Sequence, residues 1–145
     1  MKIIGLYGRG GCGKSETLNR LKDLLRDAGK SVSSEPHSWS EDPEAFEFKG
    51  KTICVAPAGD TSEIVKANCK YFESKRCDVA VSATRTKWGS VEALEDYAKR
   101  KKTEIEWVEK SYEYDLDKDV QTFCNKETSL LLFKKICDYL NNLSK

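Results

Sequence analysis

Gly8-Arg9-Gly10-Gly11-Cys12-Gly13-Lys14-Ser15 is the stretch that most limits what this chain can fold into. It fits G-x-x-x-x-G-K-[ST] at every position, a pattern whose glycines let the backbone turn tightly where a strand feeds a helix. The flanking residues agree with that placement. Lys2 to Tyr7 is an apolar run of strand length, and from about Gly13 to Ala28 the residues Leu18, Leu21, Leu24, Leu25 and Ala28 recur on one helical face. Gly29 then stands where a helix commonly ends.

The rest of the chain repeats that rhythm. Ser31 to Glu35 reads as a second strand, followed by a polar loop carrying Pro36, Ser38, Ser40 and Pro43. Phe46 to Phe48 and Thr52 to Ala56 flank Lys49-Gly50, a hairpin feeding a buried strand. A helix is expected from Thr61 to Ser74 with Ile64, Val65, Cys69 and Phe72 inward, then a strand from Asp78 to Ala83. Ser90 is placed to cap a third helix that is acidic at its start (Glu92, Glu95) and basic at its end (Lys99 to Lys102), the order a helix dipole favours. Glu104 to Val108 makes a fifth strand, and an acidic linker from Ser111 to Lys126 leads to a closing helix with Leu130, Phe133, Cys137 and Leu140 inward. Alternating strands and helices of this kind predict an α/β fold: a three-layer sandwich around a mostly parallel five-stranded sheet, as one domain over residues 1–145.

Chemistry concentrates in the glycine segment. Backbone N–H groups turned inward there can surround phosphate oxygens, and the helix N-terminus adds its partial positive charge. Lys14, expected to face solvent, would reach the β- and γ-phosphates, and the Ser15 hydroxyl would ligate Mg²⁺. Gly8, Arg9, Gly10, Gly11, Cys12, Gly13, Lys14, Ser15 and Glu16 therefore make up the predicted binding set. Over roughly the first thirty residues the sequence resembles the P-loop NTPase superfamily. The Arg9-Gly10-Gly11 triplet is similar to the Lys-Gly-Gly form of the MinD-like and ParA-like ATPases. In those proteins the early lysine crosses a dimer interface to the partner's nucleotide, so the resemblance implies ATP with Mg²⁺ and a homodimer. Arg9 can chelate two phosphate oxygens in that role, and the position also tolerates a residue with no role.

No strand ends in the four-hydrophobe-plus-Asp form that supplies the Mg²⁺-side carboxylate. Asp60, just past the carboxyl end of a buried strand, is the substitute; with Glu63 it also fits a helix-capping pair. Glu35 ends the second strand at the same edge as either a general base or a solvated loop carboxylate. Arg85 and Lys87 follow the fourth strand, as cations that steady a transferring phosphate from the side opposite Asp60 or as an ordinary surface loop. Trp88 beside them either stacks on a ring or covers the third helix.

Bulk composition excludes more than it suggests. With 25 Lys+Arg against 24 Asp+Glu the net charge is +1, which gives no electrostatic reason to expect nucleic acid or membrane as partner. There is neither a secretory h-region nor a span of roughly 18 apolar residues, so a cytoplasmic setting is expected. Six cysteines without a C-x-x-C pair, and His37 as the sole histidine, argue for buried thiols over disulfides or zinc. Asn125-Lys126-Glu127-Thr128 lacks the final Asp and the preceding strand of a guanine-binding motif. Asp115, Asp117 and Asp119 open like an EF-hand loop, but Val120 and Lys126 stand where glycine and glutamate are needed. These readings converge on an ATP-binding NTPase, with a kinase acting on a small-molecule acceptor and a non-catalytic nucleotide sensor as alternatives.

Overall fold

The computed structural model describes residues 1–32, 39–111 and 117–143. Its elements are β1 (Lys2–Tyr7), α1 (Lys14–Ala28), β2 (Lys30–Ser31), β3 (Glu44–Phe48), β4 (Lys51–Ala56), α2 (Ser62–Lys75), β5 (Val79–Thr84), α3 (Gly89–Arg100), β6 (Ile105–Glu109) and α4 (Lys118–Leu143). They build one mixed sheet in the order β2-β3-β4-β5-β1-β6. β4, β5, β1 and β6 pair in parallel, while β3 runs antiparallel to both of its neighbours.

Strand periodicity sorts the apolar side chains into two cores. Ile4, Leu6, Ile53, Val55, Val79 and Val81 face α1 and α4, which pack together. Ile3, Cys54, Ala56 and Ala80 face α2 and α3 on the other side. Both faces of the central strands are covered, which is why those strands read as nearly continuous hydrophobic runs.

The expected α/β class and mostly parallel sheet are present, but the sheet has six strands where five were expected. Glu44–Phe48 is the addition: Lys49 and Gly50 both take positive φ (53° and 74°), a tight hairpin turn that sends β4 back along β3. Of the expected 31–35 strand, β2 contains Ser31 and Val32 lies beyond it, while 33–35 lie outside the described residues.

Differences at the helix ends have local causes. The expected acidic linker gives way to helix at Lys118, because the Asp117 carboxylate accepts from the Val120 N–H at 2.9 Å and caps α4. The inward stripe of α4 is Asn125, Ser129, Leu132, Ile136 and Leu140, with Leu130 exposed. Ser90 lies inside the first turn of α3 and does not cap it; Trp88, at φ 67°, holds the N-cap position. All six cysteines are free; Cys12, Cys54, Cys69 and Cys77 are buried, and burial pushes the Cys69 thiol up to about 12. No helix among the described residues is long and apolar enough to cross a membrane.

Candidate phosphate-binding site

Neighbouring strands β1 and β5 send their helices to opposite faces of the sheet, α1 to one and α3 to the other. A crevice opens at the carboxyl ends of two such strands, where open α/β folds bind ligands. The Gly8–Ser15 segment fills that position. Gly8 N donates to Thr84 O at 3.3 Å, tying the start of the turn to the end of β5. A Cβ at Gly8 would meet Lys110 O at 2.3 Å, so only glycine fits between the turn and the end of β6. Gly11 and Gly13 take φ of 78° and 89°, the left-handed region that favours glycine.

Gly13 is also the N-cap residue of α1, and no side chain caps that helix start. Its first N–H groups are left for another acceptor. At α2, by contrast, Thr61 Oγ1 accepts from Ile64 N at 3.2 Å. Thr61 therefore takes the cap that Asp60 was expected to share, and the Asp60 carboxylate turns elsewhere.

Beside this helix start lies a cavity of about 190 Å³, lined by Gly10 to Glu16, Glu41 and Pro57 to Asp60. Lys14 forms part of its floor. Contrary to the expected solvent-facing side chain, Lys14 is only 7% exposed, with its ammonium donating to Gly8 O and, at 3.1 Å, to Arg9 O. Burial pulls its pKa below the usual lysine value, with nearby Asp60 pulling the other way. A phosphate would give this ammonium a charged partner in place of two carbonyls.

Two further segments complete the lining, Glu41 from one and Pro57 to Asp60 from the other. Ser15 Oγ donates to Glu41 Oε1 at 3.1 Å. Glu41 is held there because Asn19 pins its neighbour: Asn19 Nδ2 donates to Ser40 O at 3.0 Å, and Asn19 Oδ1 accepts from Ser40 N at 3.1 Å. Lys22 Nζ donates to Asp42 O at 2.6 Å and fixes the other side. Asp60 pairs with Arg85, Nε to Oδ1, at 3.2 Å. Asp60, which lines the cavity, thus holds Arg85 beside it, a correction to their expected placement on opposite sides. Arg85 N donates to the buried Ser90 Oγ at 2.9 Å, and its guanidinium lies over Gly10, where a Cβ would come within 2.7 Å of it. Gly59 makes the meeting possible, since a Cβ there would sit 1.8 Å from Ala83 O. Comparison with known protein families, curated proteins and solved structures returns no match to the chain.

The other expected site residues divide between the cavity lining and its surroundings. Lys87 holds its ammonium 4.4 Å from the centre of the Trp88 ring, and Trp88 is 70% exposed. Arg9 is exposed, and Cys12 is buried under the turn. Glu16 lines the cavity while its carboxylate accepts from Asn125 Nδ2 at 2.6 Å, which gives Asn125 a packing role and places the Asn125–Thr128 segment within a helix. Glu35 lies outside the described residues. Glu41 is the residue sequence reasoning missed. Its signal was weak: one carboxylate in a polar loop, reaching Ser15 only through the fold of residues 39–42 onto α1.

Among the described residues no three His, Cys, Asp or Glu side chains gather closely enough to hold a metal by themselves. The Ser15 hydroxyl and the Glu41 carboxylate are hydrogen-bonded oxygen donors on the lining, and the Asp60 carboxylate, paired with Arg85, lines the same cavity. Such a set suits an ion that takes one or two carboxylates and completes its shell with phosphate and water. A larger groove of about 590 Å³ between α2 and α3 is lined by Lys66, Lys70, Tyr97 and Arg100 and is separate from the glycine turn.

Proposed function

We propose that this chain is a P-loop NTPase that binds ATP with Mg²⁺ at Gly8–Ser15 and cleaves the γ-phosphoryl group with water as acceptor. The observation that carries the reading is the combination of an uncapped α1 start with Lys14 and Ser15 on the floor of the cavity at the β1/β5 crevice. Whole small ligands fill pockets of roughly 300–1,000 Å³. A cavity of about 190 Å³ suits a polyphosphate tail, with the nucleoside lying outside it.

Each residue then has a task. N–H groups of the turn and of the first turn of α1 hold the β-phosphate. Lys14 leaves the Gly8 and Arg9 carbonyls for the β/γ oxygens, so the cost of burying its charge, present before binding, is offset by the phosphate. Ser15 and Glu41 would hold Mg²⁺, which supplies charge neutralisation on the β/γ oxygens. Arg85, hinged over Gly10 and steadied by Asp60, is positioned to stabilise charge developing on the γ-phosphate.

A second reading is phosphoryl transfer to a small-molecule acceptor. One observation favours it: residues 40–42 are pinned onto α1 by Asn19 and Lys22, giving the cavity a shaped wall against which an acceptor hydroxyl could rest. Incubation with γ-labelled ATP and Mg²⁺, with and without a metabolite pool, separates the possibilities. Label released as inorganic phosphate supports hydrolysis, and label moved to a metabolite supports transfer. Binding without any turnover leaves a nucleotide sensor.

A further inference from the structure

α4 carries two apolar stripes. The inner one, from Leu132 to Leu140, packs on α1 and the sheet. About half a helical turn away, at roughly 100° per residue, Val120, Phe123, Leu130 and Leu131 share the outer face. All four are exposed, Phe123 at 61% and Leu130 at 55%. Glu127, Lys134 and Asp138, also exposed, lie on the same outer face. A surface helix needs only one apolar stripe to hold it to its core.

We propose that the outer stripe of α4 is the interface of a homodimer, in which α4 packs antiparallel against α4 of a second copy. The charges choose that occupant. A twofold axis between Leu130 and Leu131 sets Leu130 against the second copy's Leu131. It also sets Glu127 against the second copy's Lys134, because the two residues are equally far from the axis in opposite directions. Symmetry makes each contact twice. An axis at Glu127 would oppose carboxylate to carboxylate, and a parallel arrangement would put like charge on like charge along the whole stripe. A membrane surface is a poorer fit, since the acidic Glu127 would sink with the leucines into the headgroup region.

By the same symmetry Phe123 faces the second copy's Asp138, so the paired stretch runs from Phe123 to Asp138, roughly 22 Å of helix at 1.5 Å per residue. One helix face of that length covers less than the roughly 800 Å² per partner of a standard interface, so dissociation in the micromolar range is expected. This dimer is independent of the nucleotide reading above and uses a different surface from Arg9.

Sedimentation velocity on the full chain, from about 1 to 200 μM, tests it around the expected constant. The wild type should pass from monomer to dimer across that range, and Leu130→Glu should stay monomeric throughout. Glu127→Lys alone and Lys134→Glu alone should each weaken association about tenfold or more, and the double reversal should restore it. The reversal pair keeps the test decisive even if Leu130→Glu folds poorly. A wild type that stays monomeric at the highest concentration overturns the proposal. So does a dimer indifferent to the single reversals, or a double variant as weak as the singles.

Discussion

The floor and the wall of the cavity are built in different ways. The floor, Gly8 to Ser15, is one continuous segment whose shape follows from its own residues: positive φ at Gly11 and Gly13, close approach at Gly8, and a helix that begins at Lys14. The wall takes Glu41 and Asp60 from two loops, with Arg85 from a third paired to Asp60 beside it; the first two are held by contacts distant in sequence and the third by a nearby one. Asn19 pins the first, the fit of Gly59 against Ala83 allows the second, and Ser90 holds the third. Backbone donors bind an anion whatever the neighbouring side chains do, whereas side-chain charges act only when tertiary packing delivers them. Floor substitutions should therefore change binding, and wall substitutions should change the ion requirement and the rate.

The largest effect expected outside the floor is at Gly59. Its Cβ would meet the Ala83 backbone carbonyl, which cannot swing aside as a side chain can. Gly59→Ala should cost about 3 kcal/mol or more, as overpacking against fixed atoms does. Thermal unfolding measures the loss, and an unchanged midpoint would mean the β4–α2 turn is not held as described.

Arg85→Ala comes next. If Arg85 stabilises charge on the γ-phosphate, kcat falls by roughly 10³ while nucleotide affinity changes little. Steady-state kinetics with a binding titration tells the two apart, and an affinity loss at constant rate would move Arg85 to the ground state. Glu41→Gln keeps the size and the hydrogen bond to Ser15 while removing the charge, so the Mg²⁺ concentration for half-maximal turnover should rise about tenfold. A titration that overlays the wild type would take Glu41 off the ion.

The smallest contrast splits neighbouring residues. Thr61→Ala should lose about 1 kcal/mol of stability by removing the α2 cap, with turnover unchanged. Asp60→Asn should do the reverse, sparing stability and slowing turnover, because its carboxylate pairs with Arg85 and caps nothing. Melting curves and rates for the two variants check the separation.

That division also marks what was legible in the sequence. Strand, turn and helix from Lys2 to Ala28 follow from local pattern, and so does the hairpin turn at Lys49-Gly50. Glu41 could not be found because its contact with Ser15 spans a fold-back of the chain onto α1. Asp60 and Arg85 were each singled out, but their pairing depends on β4 and β5 lying side by side with Gly59 between their ends. α4 misled for another reason. With apolar residues on two faces, periodicity alone named Leu130 as core when Leu132 and Ile136 are the residues that pack inward. Lys14 was expected in solvent because nothing in a sequence shows a lysine folding back onto its own turn.

Calorimetric titration of the wild type and Lys14→Met with a non-hydrolysable ATP analogue, with and without Mg²⁺, tests the central claim most directly. Removing a buried ammonium whose pKa is already lowered by burial should leave the melting temperature intact or raise it. The wild type should bind the analogue with Mg²⁺-dependent affinity, and Lys14→Met should lose at least about a hundredfold, or roughly 3 kcal/mol. Equal affinity in both proteins, or no binding by a correctly folded wild type, would contradict the assignment of Gly8–Ser15 as a triphosphate site.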